Sequence, residues 1–209
     1  MERAGNGGQV LGIMAEAGAG KSRLCAEFLD HCRAQGFTVL EGRGVAHGKA
    51  IPMLPILELW RAYYGITEAD SPRPHEQKFS GQLLSMDETY GEDLPFIVDL
   101  FGVPDPANPA PKIDPEQRQK RLHNVVKRVL RDPAHSAIGS HVLVLEDLHW
   151  FDGASDAFLK TTVESIPASR DLLLVNFRPE YQARWMQRSY YQHLPLQPLT
   201  SEAIRALPQ

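Results

Sequence analysis

The chain reads Ala15-Glu16-Ala17-Gly18-Ala19-Gly20-Lys21-Ser22 near its amino end, between an apolar run at positions 10–14 and a helix-like segment from Arg23 to Gln35. An apolar strand, a glycine-rich loop and a helix in this order form the context that a phosphate-binding loop requires. In such a loop the backbone N–H groups surround a phosphate, and the helix N-terminus adds partial positive charge. This stretch therefore predicts a site for the phosphates of a nucleotide.

Each position of this loop has an expected role. Lys21 is expected to reach the β- and γ-phosphates, and the Ser22 hydroxyl to bind a magnesium ion. The usual pattern begins with glycine, and Ala15 fits the first position if its φ angle stays negative. The alternative is a glycine-rich turn that Ser22 caps before an ordinary helix. The expected nucleotide-binding residues are Ala17, Gly18, Ala19, Gly20, Lys21, Ser22 and Arg23.

The composition narrows the class of protein. The chain has 209 residues, 43% of them hydrophobic, and a formal net charge of −4. That length suits one domain, residues 1–209, with a well-buried core, and the acidic balance argues against a general polyanion binder. No apolar run approaches membrane-spanning length and no signal peptide opens the chain. We therefore expect a cytoplasmic protein with no membrane partner, or a soluble piece of a larger one.

Apolar runs alternate with amphipathic segments along the chain. Strands are predicted at 10–14, 37–40, 141–145 and 172–177, with a weaker one at 190–196, and helices at 22–35, 52–64, 115–131 and 154–166. This alternation predicts an α/β fold, a three-layer α/β/α sandwich around a mostly parallel five-stranded core sheet. The predicted core comprises residues 8–43 and 116–197. Residues 44–115 are predicted to form a helical, Pro-rich insertion.

The helix that begins at Asp114-Pro115-Glu116 is the most amphipathic one. Asp114 is a typical N-cap residue and Pro115 suits the first helical position. The helix also carries basic residues, which permit nucleic-acid binding but are more typical of a solvated helix face. The predicted buried stripe consists of Leu122, Val125, Val126, Val129 and Leu130, and the basic residues are Arg118, Lys120, Arg121, Lys127, Arg128 and Arg131.

Two carboxylates follow the apolar run at 141–145. If this strand lies beside the first strand, Glu146 and Asp147 face the phosphate loop at the carboxyl ends of the strands. One of them can then hold magnesium while the other polarises an attacking water, and the sequence leaves open which acid has which role. A core strand that simply ends in surface charges is the alternative.

Three further side chains lie near these predicted strand ends. Arg178 closes the strand at 172–177, where it could sense a γ-phosphate or stabilise charge during transfer, or cap the strand at the surface. Trp150 is interpreted as a packing anchor. His149 is interpreted as structural, because phosphoryl transfer to water in this class needs no histidine base.

Three segments resemble the AAA-like P-loop ATPase domains of bacterial signalling proteins, the signal-transduction ATPases with numerous domains (STAND). They are residues 15–24, the run Leu145-Glu146-Asp147-Leu148-His149-Trp150-Phe151-Asp152, and Phe177-Arg178-Pro179-Glu180. Such modules lie beside class III adenylate or guanylate cyclase domains and in large LuxR-type regulators. The resemblance implies a P-loop NTPase fold, binding of ATP and Mg²⁺, slow hydrolysis, and a nucleotide state that acts as a switch.

The resemblance also assigns roles by motif position. It implies that Lys21 and Ser22 contact phosphate and magnesium, that Glu146 and Asp147 are the metal and water acids, and that Arg178 is a sensor. Members of that family continue into a helical lid after the fifth strand, so we expect this chain to be a fragment of a multidomain protein without its C-terminal lid. The implied partners are a nucleotide and a cyclase or DNA-binding output domain of the same polypeptide.

The leading hypothesis is an ATP-binding and ATP-hydrolysing regulatory module. A nucleotide-binding switch without meaningful turnover is the second. A phosphotransferase acting on a small molecule and a nucleic-acid motor that uses the basic helix rank lower, because no acceptor pocket is readable and the net charge is acidic.

Overall fold

The computed structural model describes residues 7–46, 52–66, 72–102 and 106–197. Its sheet contains β1 (Gln9–Met14), β2 (Thr38–Arg43), β3 (His141–Glu146), β4 (Leu172–Phe177) and β5 (Tyr191–Pro195). All neighbouring strands are parallel, in the order β2-β3-β4-β1-β5. The predicted five-stranded parallel α/β sheet is confirmed. We call the side where the strands begin the amino edge and the side where they end the carboxyl edge.

Helices connect the strands. They are α1 (Lys21–Ala34), α2 (Leu54–Tyr63), α3 (Pro72–Met86), α4 (Leu94–Leu100), α5 (Pro115–Arg131), α6 (Pro133–Ile138) and α7 (Gly153–Ser165). Short 3₁₀ helices span Glu88–Glu92, Leu148–Trp150, Ile166–Ala168 and Arg184–Gln187. Of the predicted insertion, residues 47–51, 67–71 and 103–105 lie outside the described residues. Within the described ranges, no helix has both the length and the apolar character that crossing a bilayer requires.

The two faces of the sheet bury different helices, because successive side chains of a strand point to opposite faces. Val142 and Val144 of β3 pack with one cluster that includes Cys25 and Leu29 of α1. Leu143 belongs to the other cluster, which the apolar faces of α2, α5 and α7 complete. The sheet therefore lies between two helical layers, as the three-layer prediction requires.

The strand order corrects one premise of the sequence analysis. β3 does not lie beside β1, because β4 pairs with both of them and separates them. The carboxylates that follow β3 and the loop that follows β1 still share the carboxyl edge, with the end of β4 between them. Residues at the end of β4 thus become part of the space between loop and acids.

Helix α5 forms as its sequence predicts. The Asp114 carboxylate accepts hydrogen bonds from the Glu116 and Gln117 N–H groups at 2.9 and 3.4 Å, and Pro115 occupies the first helical position. All five residues of the predicted apolar stripe are buried. Local capping and a period of 3.6 residues were sufficient to locate this helix and its buried face.

The basic face of α5 is less solvated than expected, because several of its arginines pair with acids from residues 87–99. The nearly buried Asp93 accepts hydrogen bonds from Arg121 Nε at 2.5 Å and Arg128 Nη1 at 3.0 Å. Arg128 also reaches Asp87 at 3.1 Å, and Arg118 reaches Asp99 at 2.5 Å. These pairs attach α5 to the segment before it and neutralise part of its positive charge.

A close contact fastens α2 onto the sheet. A Cβ atom on Gly42 of β2 would lie 2.0 Å from the Pro55 carbonyl oxygen, so only glycine permits this approach. Asp152, the N-cap of α7, accepts hydrogen bonds from the Ala154 N–H at 2.9 Å and from the Met53 N–H at 3.0 Å. Met53, with a left-handed φ of 63°, directly precedes α2. One carboxylate therefore fixes the starts of two helices.

Candidate nucleotide-binding site

The loop between β1 and α1 has the backbone that its glycines predict. Gly18 and Gly20 adopt φ angles of 81° and 89°, which only glycine adopts without strain. A Cβ atom built at either position would meet no other atom within 4 Å, so the space outside the loop is open. Ala15 is buried and is not among the described residues with positive φ, so alanine fits this position.

The amino end of α1 presents backbone donors to that open space. Gly20 is the N-cap residue and supplies no capping side chain. The first N–H groups of a helix have no partner within the helix, and the helix dipole adds partial positive charge there. Ala17, Gly18 and Ser22 are exposed around this end. The loop therefore meets the geometric requirements for binding an anion.

Lys21 lies inside the loop that it is predicted to serve. Its Nζ donates hydrogen bonds to the carbonyl oxygens of Ala15 at 2.6 Å and Glu16 at 2.9 Å, and the residue is buried. Arg23 differs, because its Nε pairs with Glu27 Oε1 at 2.9 Å along α1 and its side chain is 62% exposed. Of the two cations, Lys21 is the one that the fold holds in the loop.

Asp147 follows β3 in a strained conformation. Its φ and ψ angles are 57° and 47°, a left-handed region that costs a non-glycine residue about 1–2 kcal/mol. Two hydrogen bonds hold it there: its N–H donates to Asn176 Oδ1, and its carbonyl oxygen accepts from the Trp150 N–H, both at 2.8 Å. Such strain persists where surrounding contacts enforce it, and it concentrates at functional sites.

Glu146 ends β3 with a carboxylate that is only partly satisfied. Its Oε2 atom is buried and has no hydrogen-bond partner among the described residues, although Arg43 Nη2 lies 3.2 Å away as an ion pair. Burial raises the pKa of this carboxyl, and the Arg43 charge and a hydrogen bond from the Asn176 side chain oppose that shift. A buried carboxylate oxygen without a donor is suited to a cation, so this edge fits a magnesium ion.

Arg43 is a site residue that the sequence analysis missed. It ends β2 in register with Glu146, and its Nε lies 3.3 Å from Asp147 Oδ2. The predicted strand stopped at Leu40, whereas β2 continues to Arg43. A correct strand end would have placed this arginine at the carboxyl edge, beside the acids. Its side chain, 55% exposed, thus neutralises part of the acid pair.

Asn176 was also missed. It is 1% exposed within β4, and besides binding the Asp147 N–H it directs Nδ2 to Cys25 Sγ at 3.6 Å. Cys25 lies one helical turn after Lys21 on α1. Asn176 therefore links the acid-bearing end of β3 to the helix of the phosphate loop. The signal was a single amide in the otherwise apolar run Leu-Leu-Leu-Val-Asn-Phe.

His149, which was interpreted as structural, follows Asp147 in the short 3₁₀ helix at the carboxyl edge. Both of its ring nitrogens are buried without a hydrogen-bond partner among the described residues. Burial and then the charge of Arg178 lower the pKa of His149, while the charges of Asp147 and Glu180 partly oppose this shift. Unpaired buried nitrogens cost about 1–3 kcal/mol each unless a ligand or water binds them. The imidazole is thus neutral and available at this edge.

Arg178 follows β4, as predicted, and its guanidinium lies 5.6 Å from the centroid of the Trp150 ring. A weak ion pair joins it to Glu180 at 4.0 Å. Trp150 is therefore a platform for this cation as well as a packing residue. Because Arg178 directly follows β4, it lies at the same carboxyl edge as the acids.

The described residues thus gather a phosphate-type loop, a lysine and two acids at one edge of a parallel sheet, the arrangement of a P-loop ATPase. In agreement, a family model described as AAA ATPase domain matches residues 1–175. The chain belongs to this family.

A comparison with curated proteins gives one relative. The chain is 29% identical over 206 residues to an uncharacterized protein of Rhizobium meliloti (strain 1021). The match covers 97% of this chain and 19% of that protein. The chain therefore spans about a fifth of the length of this relative.

Proposed function

We propose that this chain is a magnesium-dependent module that binds ATP and hydrolyses it slowly, and whose nucleotide state acts as a switch in signal transduction. The observation that carries the proposal is the open glycine loop at the same sheet edge as Glu146 and Asp147. Membership of the AAA ATPase family supports nucleotide binding.

In this proposal Lys21 changes partners. It exchanges its two hydrogen bonds to carbonyl oxygens for charge-assisted contacts with phosphate oxygens, which are the stronger kind. The N–H groups from Gly18 to Ser22 surround the phosphate chain. The roles of Ala17, Ala19 and Arg23 are confined to their backbone groups, since the Arg23 guanidinium pairs with Glu27.

Magnesium would be held by Ser22 and by one of the two acids, Glu146 or Asp147, whose oxygen atoms are the ligands it prefers. When bound, it supplies positive charge that offsets the charge of the phosphates. The acid that does not hold the metal polarises the attacking water. Arg178 is the proposed sensor of the γ-phosphate, because it is a cation at this edge. The neutral His149 is a second candidate, because both of its ring nitrogens lack a hydrogen-bond partner among the described residues.

A second candidate function is a switch that binds nucleotide without appreciable turnover. Arg43 supports it, because this side chain contacts both acids and so competes with magnesium and water for them. The two functions share the phosphate loop and differ in whether Arg43 leaves the acids when nucleotide binds.

Equilibrium binding of ATP, with and without magnesium, tests the shared part. Lys21→Ala should weaken binding about 100-fold, since it removes charged hydrogen bonds worth about 1.5–3 kcal/mol each. Lys160→Ala, on the exposed side of α7, is the matched control and should bind like the wild type. Equal affinities of wild type and Lys21→Ala would contradict nucleotide binding by the loop.

Phosphate release separates the two candidates. In the hydrolytic module, Glu146→Gln or Asp147→Asn stops phosphate release while ATP still binds. The variant whose ATP binding no longer depends on magnesium identifies the acid that holds the metal. Wild-type release no faster than that of both variants would favour the non-hydrolysing switch. A phosphorylated small molecule in place of free phosphate would favour a phosphotransferase.

The cellular setting belongs to the same proposal. A signalling role, a cytoplasmic location and a cyclase or DNA-binding output domain are proposed from the motifs at 15–24, 145–152 and 177–180. Limited proteolysis of the longer polypeptide with ADP and with ATP tests the switch. Identical digestion patterns in the two nucleotide states would contradict it.

A further inference from the structure

A second polar cluster lies at the amino edge of the sheet, away from the phosphate loop. His141 begins β3, Asp171 directly precedes β4, and His135 belongs to α6. Their side chains are 1–3% exposed. The two imidazole rings stack with centroids 4.7 Å apart at an interplanar angle of 21°, so both face one carboxylate.

This carboxylate is well supplied with donors. His135 Nε2 donates to Asp171 Oδ2 at 2.7 Å, and His141 contributes Nδ1 at 3.1 Å and its backbone N–H at 3.0 Å to Oδ1. Burial alone raises the pKa of Asp171, but the hydrogen bonds from the two histidines outweigh it and hold the pKa well below its usual range. The cluster thus combines one buried negative charge with two imidazoles.

We propose that His135, His141 and Asp171 form a structural binding site for a divalent transition metal of the zinc class. One ligand atom from each residue lies within 4.8 Å of the other two. Two imidazoles and a carboxylate are a donor set that zinc accepts. Tetrahedral zinc with bonds of about 2.0–2.1 Å places its ligand atoms about 3.3 Å apart. Small side-chain rotations therefore bring these atoms to the required spacing.

The groups around the cluster support this role. Tyr63 Oη lies 2.8 Å from His135 Nδ1. Without metal, Nε2 carries the proton and the tyrosine donates; with metal on Nε2, the proton moves to Nδ1 and donates to the Tyr63 oxygen. In His141 the proton is on Nδ1 without metal, where it donates to Asp171, and it moves to Nε2 when Nδ1 binds the metal. Tyr63 thus orients a ligand as partners of metal-bound histidines do.

A groove of about 350 Å³ runs past the start of β3, where Ser140, His141 and Arg170 are among its lining residues. The three protein ligands come from α6, β3 and the start of β4, which are separate in sequence. A bound metal would therefore stabilise the folded state by mass action.

The site is independent of the proposed nucleotide site. His141 and Glu146 lie at opposite ends of β3, which separates them by about 16 Å at 3.3 Å per residue. The donor sets also differ, because imidazole nitrogens select zinc-class ions while carboxylate and hydroxyl oxygens select magnesium. Loss of one site leaves the other measurable.

Cobalt and zinc binding to the chelator-treated full chain tests the proposal. Stoichiometric Co²⁺ should give the visible absorption of a tetrahedral site, and Zn²⁺ at about 100 times its Kd should raise Tm by about 5–10 °C. Asp171→Asn and His141→Gln should abolish both effects. His193→Ala, an exposed histidine on β5, should retain them.

Two further measurements make the outcome decisive. The double variant Glu146→Gln/Asp147→Asn should retain the cobalt absorption, and its loss there would assign the metal to the other edge and overturn the proposal. If the cluster variants do not fold, X-ray absorption of the zinc-loaded wild type counts the imidazole ligands. Two imidazoles support the site, whereas oxygen ligands alone, or no stoichiometric binding, overturn it.

Discussion

The two ends of β3 contrast in how their polar groups are satisfied. At the amino edge, the buried Asp171 accepts hydrogen bonds from both rings of the cluster and from the His141 backbone. At the carboxyl edge, Glu146 Oε2 and both ring nitrogens of His149 are buried without such partners. The first end stabilises the fold, and the second retains buried polar atoms without hydrogen bonds, which a ligand can satisfy. Proteins keep such groups at sites where function outweighs stability.

The largest expected effect is at the satisfied end. Asp171→Ala leaves two buried imidazoles without their acceptor, so we expect a loss of about 3 kcal/mol in the free energy of unfolding. Denaturant unfolding measures it. Asp30→Ala, which removes an aspartate that is 76% exposed, should change the free energy by less than about 0.5 kcal/mol. Similar losses of unfolding free energy in the two variants would show that Asp171 does not stabilise the amino edge.

Acid should weaken the same end. The pKa of Asp171 is lowered in the folded protein, so its stabilising contribution is complete above the unfolded value of about 3.9 and is lost as the pH falls toward the folded value. The difference in unfolding free energy between wild type and Asp171→Asn should therefore shrink below about pH 4. A difference that stays constant from pH 7 to pH 3 would show that the carboxylate charge is unimportant.

The unsatisfied end should respond in the opposite direction. Burial raises the pKa of Glu146, which means that its ionised form destabilises the apo fold above that pKa. Glu146→Gln should stabilise the protein by about 1 kcal/mol at neutral pH, and this gain should disappear toward pH 4. Thermal unfolding across this range measures it. Destabilisation at pH 7 would show that the Arg43 ion pair outweighs burial.

The smallest effect concerns Arg43. Because its side chain is 55% exposed, Arg43→Gln should change stability by less than about 0.5 kcal/mol. Removal of the cation should nevertheless tighten magnesium binding in the presence of ATP about threefold, since both acids lose a competing charge. Arg33→Gln, an exposed arginine on α1, is the control. Weaker magnesium binding in Arg43→Gln would show that the arginine assists the site.

Local signals sufficed for much of the fold. The strand at 172–177 and the cap at Asp114 were predictable because each depends on neighbours in sequence. Helix α6 was missed, although Asp132 caps it and Pro133 starts it, because it has too few residues to show a periodic pattern. The loop at 15–22 could be predicted as a phosphate site for the same local reason, since its glycines and lysine lie close together in the chain.

The site residues that were not predicted depend on the order of the strands in the sheet. The hydrophobic periodicity of the sequence carries no information about that order. Asn176 contacts Asp147 only because β4 lies beside β3, and Arg43 meets Glu146 only because β2 lies on the other side. His135 and Asp171 are 36 positions apart in the chain. Such contacts follow from tertiary structure, so no pattern along the sequence identifies them.

Asp152 connects two helices that the chain places far apart. Its carboxylate accepts from Met53 before α2 and from Ala154 and Ser155 at the start of α7. Breaking this junction would release both helix starts together, so their amide hydrogens should exchange with solvent as one cooperative unit. The starts of α2 and α7 thus depend on the same carboxylate.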